Sequence, residues 1–168
     1  VPTIPENLRT FRFEDYIDTE DTLQSTQNEG IYGLLDEYNS YYQGTRAGFD
    51  LLGYYEGKGE SADWHDFFSG VNTTYYGCLE FRFFILRYLL FAEKHHPEIR
   101  AGILKNKAWC AAFLAVDRNV SDLMQSYFKK KPEIFDRLRG FGWKVYEEND
   151  MLYIQAGGRR IGHMNFMQ

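Results

Sequence analysis

Cysteine, proline and histidine are scarce in this sequence, with two, four and four copies in 168 residues, and each scarcity narrows the chemistry available. Cys78 and Cys110 both fall inside apolar helical segments rather than in a short cysteine-rich framework. They read as reduced thiols filling small core positions in a reducing compartment. The most apolar stretch, residues 83 to 92, is interrupted by Arg87 and preceded by Glu80 and Arg82. It falls short of the roughly 20 apolar residues a membrane span requires, so no membrane association is expected. The chain opens Val1-Pro2-Thr3-Ile4-Pro5, without a basic segment leading into an apolar one, and a cytoplasmic location is the expectation. No internal repeat occurs, which removes solenoid architectures.

The common enzyme signatures are missing too. There is no P-loop, dinucleotide fingerprint, Cys-x-x-Cys, His-Glu-x-x-His or Gly-x-Ser-x-Gly motif. This counts modestly against an enzyme, and no cofactor is expected.

Aromatic residues, in contrast, make up 18% of the chain and hydrophobic residues 44%, too many to leave in water. Thirteen tyrosines imply a core edged with hydrogen bonds, because a buried phenol needs a partner. Acidic and basic residues are unevenly divided. Residues 1 to 80 hold 15 carboxylates against 4 cations, whereas residues 81 to 168 hold 9 against 15, within a net charge of -5. Opposite potentials at two regions of the surface, or mutual neutralisation by packing, both follow from such a split.

Periodicity predicts a predominantly helical α+β fold in one domain over residues 1–168: an extended arm over 1–18, a helical body of about four to five helices over 19–140, and a small three-stranded antiparallel meander over 143–167. Thr26 and Glu29 have the spacing of a capping box. From Ile31 to Leu52 apolar residues recur at helical spacing, with Gly44 and Gly48 one turn apart on the stripe. Residues 56 to 62 read as a loop, 64 to 68 as a helical turn, and 72 to 96 as a central helix, apolar nearly all round. Pro97 opens a short helical segment. A helix over 106 to 129 closes on Lys129, Lys130 and Lys131, which suits the negative end of its dipole, and a separate short helix starts at Pro132. Beyond Gly142 the period becomes 2, with turns at Asn149-Asp150 and Gly157-Gly158, and with Val145, Leu152, Ile154 and Ile161 supplying the buried side.

Several polar groups stand out against this frame. Glu80, Arg82 and Arg87 lie on the apolar helix, where unpaired charge is costly. They form either an internal ion-pair network, with partners such as Glu37, Asp50 or Asp117, or the wall of a ligand pocket shared with Tyr38 and Tyr42. Asp63, His65 and Asp66, with Ser61 nearby, have the donors of a metal site or an acid/base pair, although Ser and Asp before a helical turn are ordinary caps. Glu93 and His96 share the Glu-x-x-His spacing of bundle metal sites without a second copy. No metal is therefore favoured. Arg159 and Arg160 make a small basic patch near Tyr146 and Tyr153, too small a footprint for nucleic acid. Glu14, Asp15, Asp18, Glu20 and Asp21 concentrate negative charge near the start.

The expected function is non-catalytic protein binding, as in a small inhibitor, immunity-type antidote or adaptor. Its acidic N-terminal half, with Arg159 and Arg160 as further contact candidates, would meet a partner that is itself basic. The alternative is a small-molecule-binding protein or enzyme whose tyrosine-lined pocket contains Glu80, Arg82 and Arg87.

Overall fold

The computed structural model describes residues 4–149 and 151–164. The chain is a helical α+β protein: helices α1 (Phe11–Tyr16), α2 (Ser25–Asn28), α3 (Ile31–Asp50), α4 (Leu52–Lys58), α5 (Trp64–Phe68), α6 (Thr74–His95), α7 (Pro97–Lys105) and α8 (Lys107–Gly140) precede strands β1 (Lys144–Glu148), β2 (Met151–Ala156) and β3 (Arg159–Met164). No helix among the described residues is long and apolar enough to cross a membrane. Two compact units divide it, one from Val1–Tyr41 with Gly77–Asn119 and the other from Tyr42–Tyr76 with Val120–Gln168.

In the first unit, the segment expected to be an extended arm is folded. A 3-10 turn at Glu6–Leu8 precedes α1, and Ile4, Arg12 and Phe13 are buried. Burial of Ile4 and Phe13, at about 1.5–3 kcal/mol each, offsets part of the entropy lost when the segment is fixed. The Thr26/Glu29 capping box does not form. Gln24 occupies the cap position of α2, Thr26 lies inside that helix, and its hydroxyl instead donates to the Tyr16 carbonyl at 2.6 Å. Gly30, at φ +58°, then turns the chain into α3. Gly33 permits the two helices to touch, since a Cβ there would fall 2.2 Å from the Ser25 carbonyl oxygen. Phe81, Phe84 and Ile85 of α6 and Ile31, Leu34 and Tyr38 of α3 are buried, and the rings of Tyr16 and Tyr41 meet Phe81 at 4.9 and 5.1 Å between centroids.

In the second unit, α4 runs to Lys58 where a loop was expected from residue 56, and a 3-10 turn covers Gly59–Ser61. Gly48 lies against the backbone of Gly70, whose carbonyl would sit 3.1 Å from an added Cβ. Two glycines one turn apart on a helix either admit a close neighbour or break the helix, and at Gly48 it is the close approach that occurs. Ser69–Thr73 forms a π-helical turn leading into α6, and Thr74 spans it by donating to the Gly70 carbonyl.

The break expected at Pro132 is absent, because α8 continues through it to Gly140. An interior proline costs about 3 kcal/mol. Three residues beyond it, Ile134, Phe135 and Leu138, are buried, and at about 1.5–3 kcal/mol each their burial exceeds that cost. The lysines that were expected to end the helix are paired instead, Lys130 with Glu133 at 2.8 Å and Lys131 with Glu147 at 2.5 Å.

The sheet is antiparallel in the order β1-β2-β3. Gly157 and Gly158 both take positive φ, +53° and +85°, as a two-residue hairpin requires. The register pairs Leu152 with His163, Ile154 with Ile161 and Ala156 with Arg159, so these six share one face. Val145, Leu152 and Ile154 are buried with Trp64, Phe67 and Phe68, whereas Ile161, expected to be buried as well, is only half-buried. Residues 165–167 of the expected meander and Asp150 of the expected turn lie outside the described residues.

Candidate functional site

The acidic N-terminal segment is held by its buried side. Arg12 is 4% exposed and pairs with Glu80, 7% exposed, at 2.5 Å, while Thr10 donates its hydroxyl to the other carboxylate oxygen. Arg12 Nε also donates to the Tyr41 hydroxyl at 3.2 Å. Burial opposes the arginine's charge, but the Tyr41 bond and the Glu80 carboxylate outweigh it and raise the Arg12 pKa. After α1 the chain turns on local hydrogen bonds. The Asp21 amide donates to Thr19 Oγ1 at 3.2 Å, the Leu23 amide to Asp21 Oδ1 at 3.0 Å, and the Gln27 side-chain amide to the Tyr16 carbonyl at 2.9 Å. Such an Asx turn fixes the loop without a core of its own.

Everything expected to bind a partner on this segment faces water. Glu14, Asp15, Asp18, Glu20 and Asp21 are all exposed, and none forms an ion pair with a described residue. Leu23 stands among them at 89% exposure, the most exposed of the large apolar side chains described. Nearby, Glu37 is pushed up in pKa by burial and by Asp36 beside it in sequence.

The other candidates are distributed rather than joined. Arg82 pairs with Asp117 at 2.7 Å, and the same carboxylate oxygen accepts the Tyr38 hydroxyl at 3.0 Å, so burial and that negative charge raise the Tyr38 pKa. Asp117 belongs to the partners anticipated for these charges. Arg12, which Glu80 takes, does not. The signal for it was the shortage of cations, since only Arg9, Arg12, Arg46 and Lys58 occur before residue 81. Arg87 lies elsewhere on α6, lining a surface dimple with Leu90, Phe91, Lys94 and His95. Tyr38 and Tyr42 are both buried.

The second unit brings two sequence candidates together. A hollow of about 280 Å³ is lined by Ser61, Asp63, His65, Trp143 and Arg159, among others. His65 Nδ1 stands 3.1 Å from Nε2 of His163, which the sheet's alternation turns inward beside Phe68, 6.0 Å between ring centroids. One nitrogen donates and the other accepts, so the pair holds a single bridging proton. Burial foremost, with His65 next to it, lowers the His163 pKa to about 4, and burial and Arg159 lower that of His65 against the opposing pull of Asp63 and Asp66.

Ser61 donates to the Lys58 carbonyl at 2.8 Å, and Asp63 Oδ1 accepts the His65 amide at 3.1 Å as the cap of α5. Asp63 thus caps α5, whereas Ser61 closes the preceding 3-10 turn by donating to a backbone carbonyl. Among the described residues no three histidine, cysteine, aspartate or glutamate side chains converge as metal ligands. Glu93 lies 3.6 Å from Arg100, and His96 4.0 Å from Glu98. Arg160 stacks on Tyr153, 4.1 Å from its centroid, on the sheet face opposite Arg159. Gly162 makes room for that ring, since a Cβ there would lie 2.9 Å from it. No protein-family model matches the chain, and neither a curated protein nor a solved structure shows significant similarity to it.

Proposed function

We propose that the protein is a non-catalytic binding protein, of the inhibitor, antidote or adaptor kind, that meets a basic protein partner through its acidic N-terminal segment. The observation that carries this reading is Leu23, almost fully exposed on a hydrogen-bonded loop among Asp18, Glu20 and Asp21. An exposed apolar side chain with carboxylates close by in sequence suits an interface centre with a polar rim, and a preorganised loop limits the entropy lost on binding. What supports it over the pocket alternative is the engagement of Glu80 and Arg82, each bound to an opposite charge of its own unit.

The test compares the wild-type chain with a variant in which Glu14, Asp15, Asp18 and Glu20 are each replaced by lysine. Proteins retained by the first and not the second at low salt are identified by mass spectrometry, purified, and titrated individually. The expected result is a basic protein whose affinity falls at least about 10-fold in the variant and whose association rate falls steeply with ionic strength. Equal retention by both chains would remove the reading.

A further inference from the structure

The same unit carries a surface of the opposite character. Along α6, Arg87, Leu90, Phe91 and Lys94 follow one another at the three- and four-residue spacing of one helix face, and with His95 they line a dimple of about 220 Å³. Leu90 is 55% exposed and Leu86, one turn earlier, 42%. Apolar side chains at this spacing are the pattern by which a helix face receives an anchoring residue. Lys94 supplies an exposed cation at the dimple. A leucine side chain occupies roughly 100 Å³ at interior packing density, so the dimple has room for one.

We infer that the chain self-associates, the loop around Leu23 of one copy docking on the Arg87–Lys94 face of α6 of a second copy. Charge and shape both select this occupant. The loop offers an exposed leucine close in sequence to Asp18, Glu20 and Asp21, and the helix offers an apolar dimple beside the Lys94 cation. Loop and dimple are different patches. A two-fold pair therefore makes the contact twice, and a head-to-tail arrangement makes it once per copy. One leucine and a few rim charges are a small contact, so the dissociation constant is expected on the order of 0.1 to 1 mM at low salt. Self-association uses the acidic surface assigned above and would compete with an external basic protein, but it does not require one.

Sedimentation velocity on the full chain, from about 10 µM to 1 mM at roughly 20 and 300 mM ionic strength, tests this over about a fourfold change in Debye length. The sedimentation coefficient should rise with concentration at low salt and much less at high salt. Leu23→Asp should abolish the rise, and Lys94→Glu should weaken association about 10-fold. Adding Asp18→Lys and Glu20→Lys to the Lys94→Glu chain should restore it, which a misfolded variant could not do. A wild-type chain that stays monomeric to 1 mM at low salt, a dimer indifferent to Leu23→Asp, or a charge swap without restoration would each overturn the inference. A monomer that still binds a basic protein in an acid-dependent way sinks self-association alone. A loop-dependent dimer that captures no such protein sinks the functional reading alone.

Discussion

His163 shows how one side chain's surroundings set a pH response. Its ordinary pKa near 6.5 is lowered to about 4, so between those values the unfolded chain binds a proton that the folded one refuses. Stability therefore rises with pH across this window and is lost as pH falls. The charged and titratable groups bearing on the pair are Asp63, Asp66 and Arg159, with His65 itself. From pH 7 to pH 5 the loss should be on the order of 1–2 kcal/mol, reduced from the full shift because solvent reaches the hollow beside His65. Urea denaturation across that range measures it, and His163→Gln should flatten the curve. An equally steep curve in the variant would assign the response to other groups.

Arg12 and Glu80 pose a different residue-scale problem, since each is buried and each offsets the other. Replacing Arg12 by methionine leaves the carboxylate with Thr10 and should cost about 3–5 kcal/mol. Replacing both, Arg12 by methionine and Glu80 by leucine, should recover most of that loss, because a desolvated pair contributes little beyond an apolar contact. Denaturation of the two single variants and the double variant closes the cycle. Additive losses would show that the two side chains act independently.

Elements obey sums of such terms, and α8 shows which term wins. Pro132 lacks the amide that would bond to the carbonyl of Phe128, yet the helix continues because Ile134, Phe135 and Leu138 bury beyond it. Pro132→Ala should restore that bond and raise stability by about 1–2 kcal/mol, less than the full propensity difference because alanine also loosens the unfolded chain. A lowered melting temperature in this variant would mean that the proline ring packs favourably where it stands. β3 illustrates the complementary rule. Its two-residue period decides that Arg159 joins the hollow with His65 while Arg160 stacks on Tyr153, so two adjacent cations do unrelated work.

For the whole molecule, charge decides encounter more than fold. The exposed carboxylates from Glu14 to Glu20 contribute no ion pair among the described residues, so replacing all four by lysine, at up to about 0.5 kcal/mol each, should change unfolding free energy by no more than about 2 kcal/mol. The same variant should lose partner binding, as argued above. A large loss of stability would instead place these side chains in the folded scaffold.

Much of the architecture was legible from local pattern: the helical run through α3 and α6, the change to a two-residue period after Gly142, and the glycine pair at the hairpin all depend on neighbours a few residues apart. The glutamate on α6 also announced the need for a cation. Which cation answered, however, rested on Arg12 standing 68 positions away, and the pairing of His65 with His163 spans 98. Folding of residues 4–16 and continuation through Pro132 were likewise tertiary outcomes, favoured over local pattern by the burial of Ile4, Phe13, Ile134, Phe135 and Leu138. Short-range periodicity is written in the chain because backbone geometry repeats. Long-range pairing is not, because it depends on which distant surfaces exclude water together.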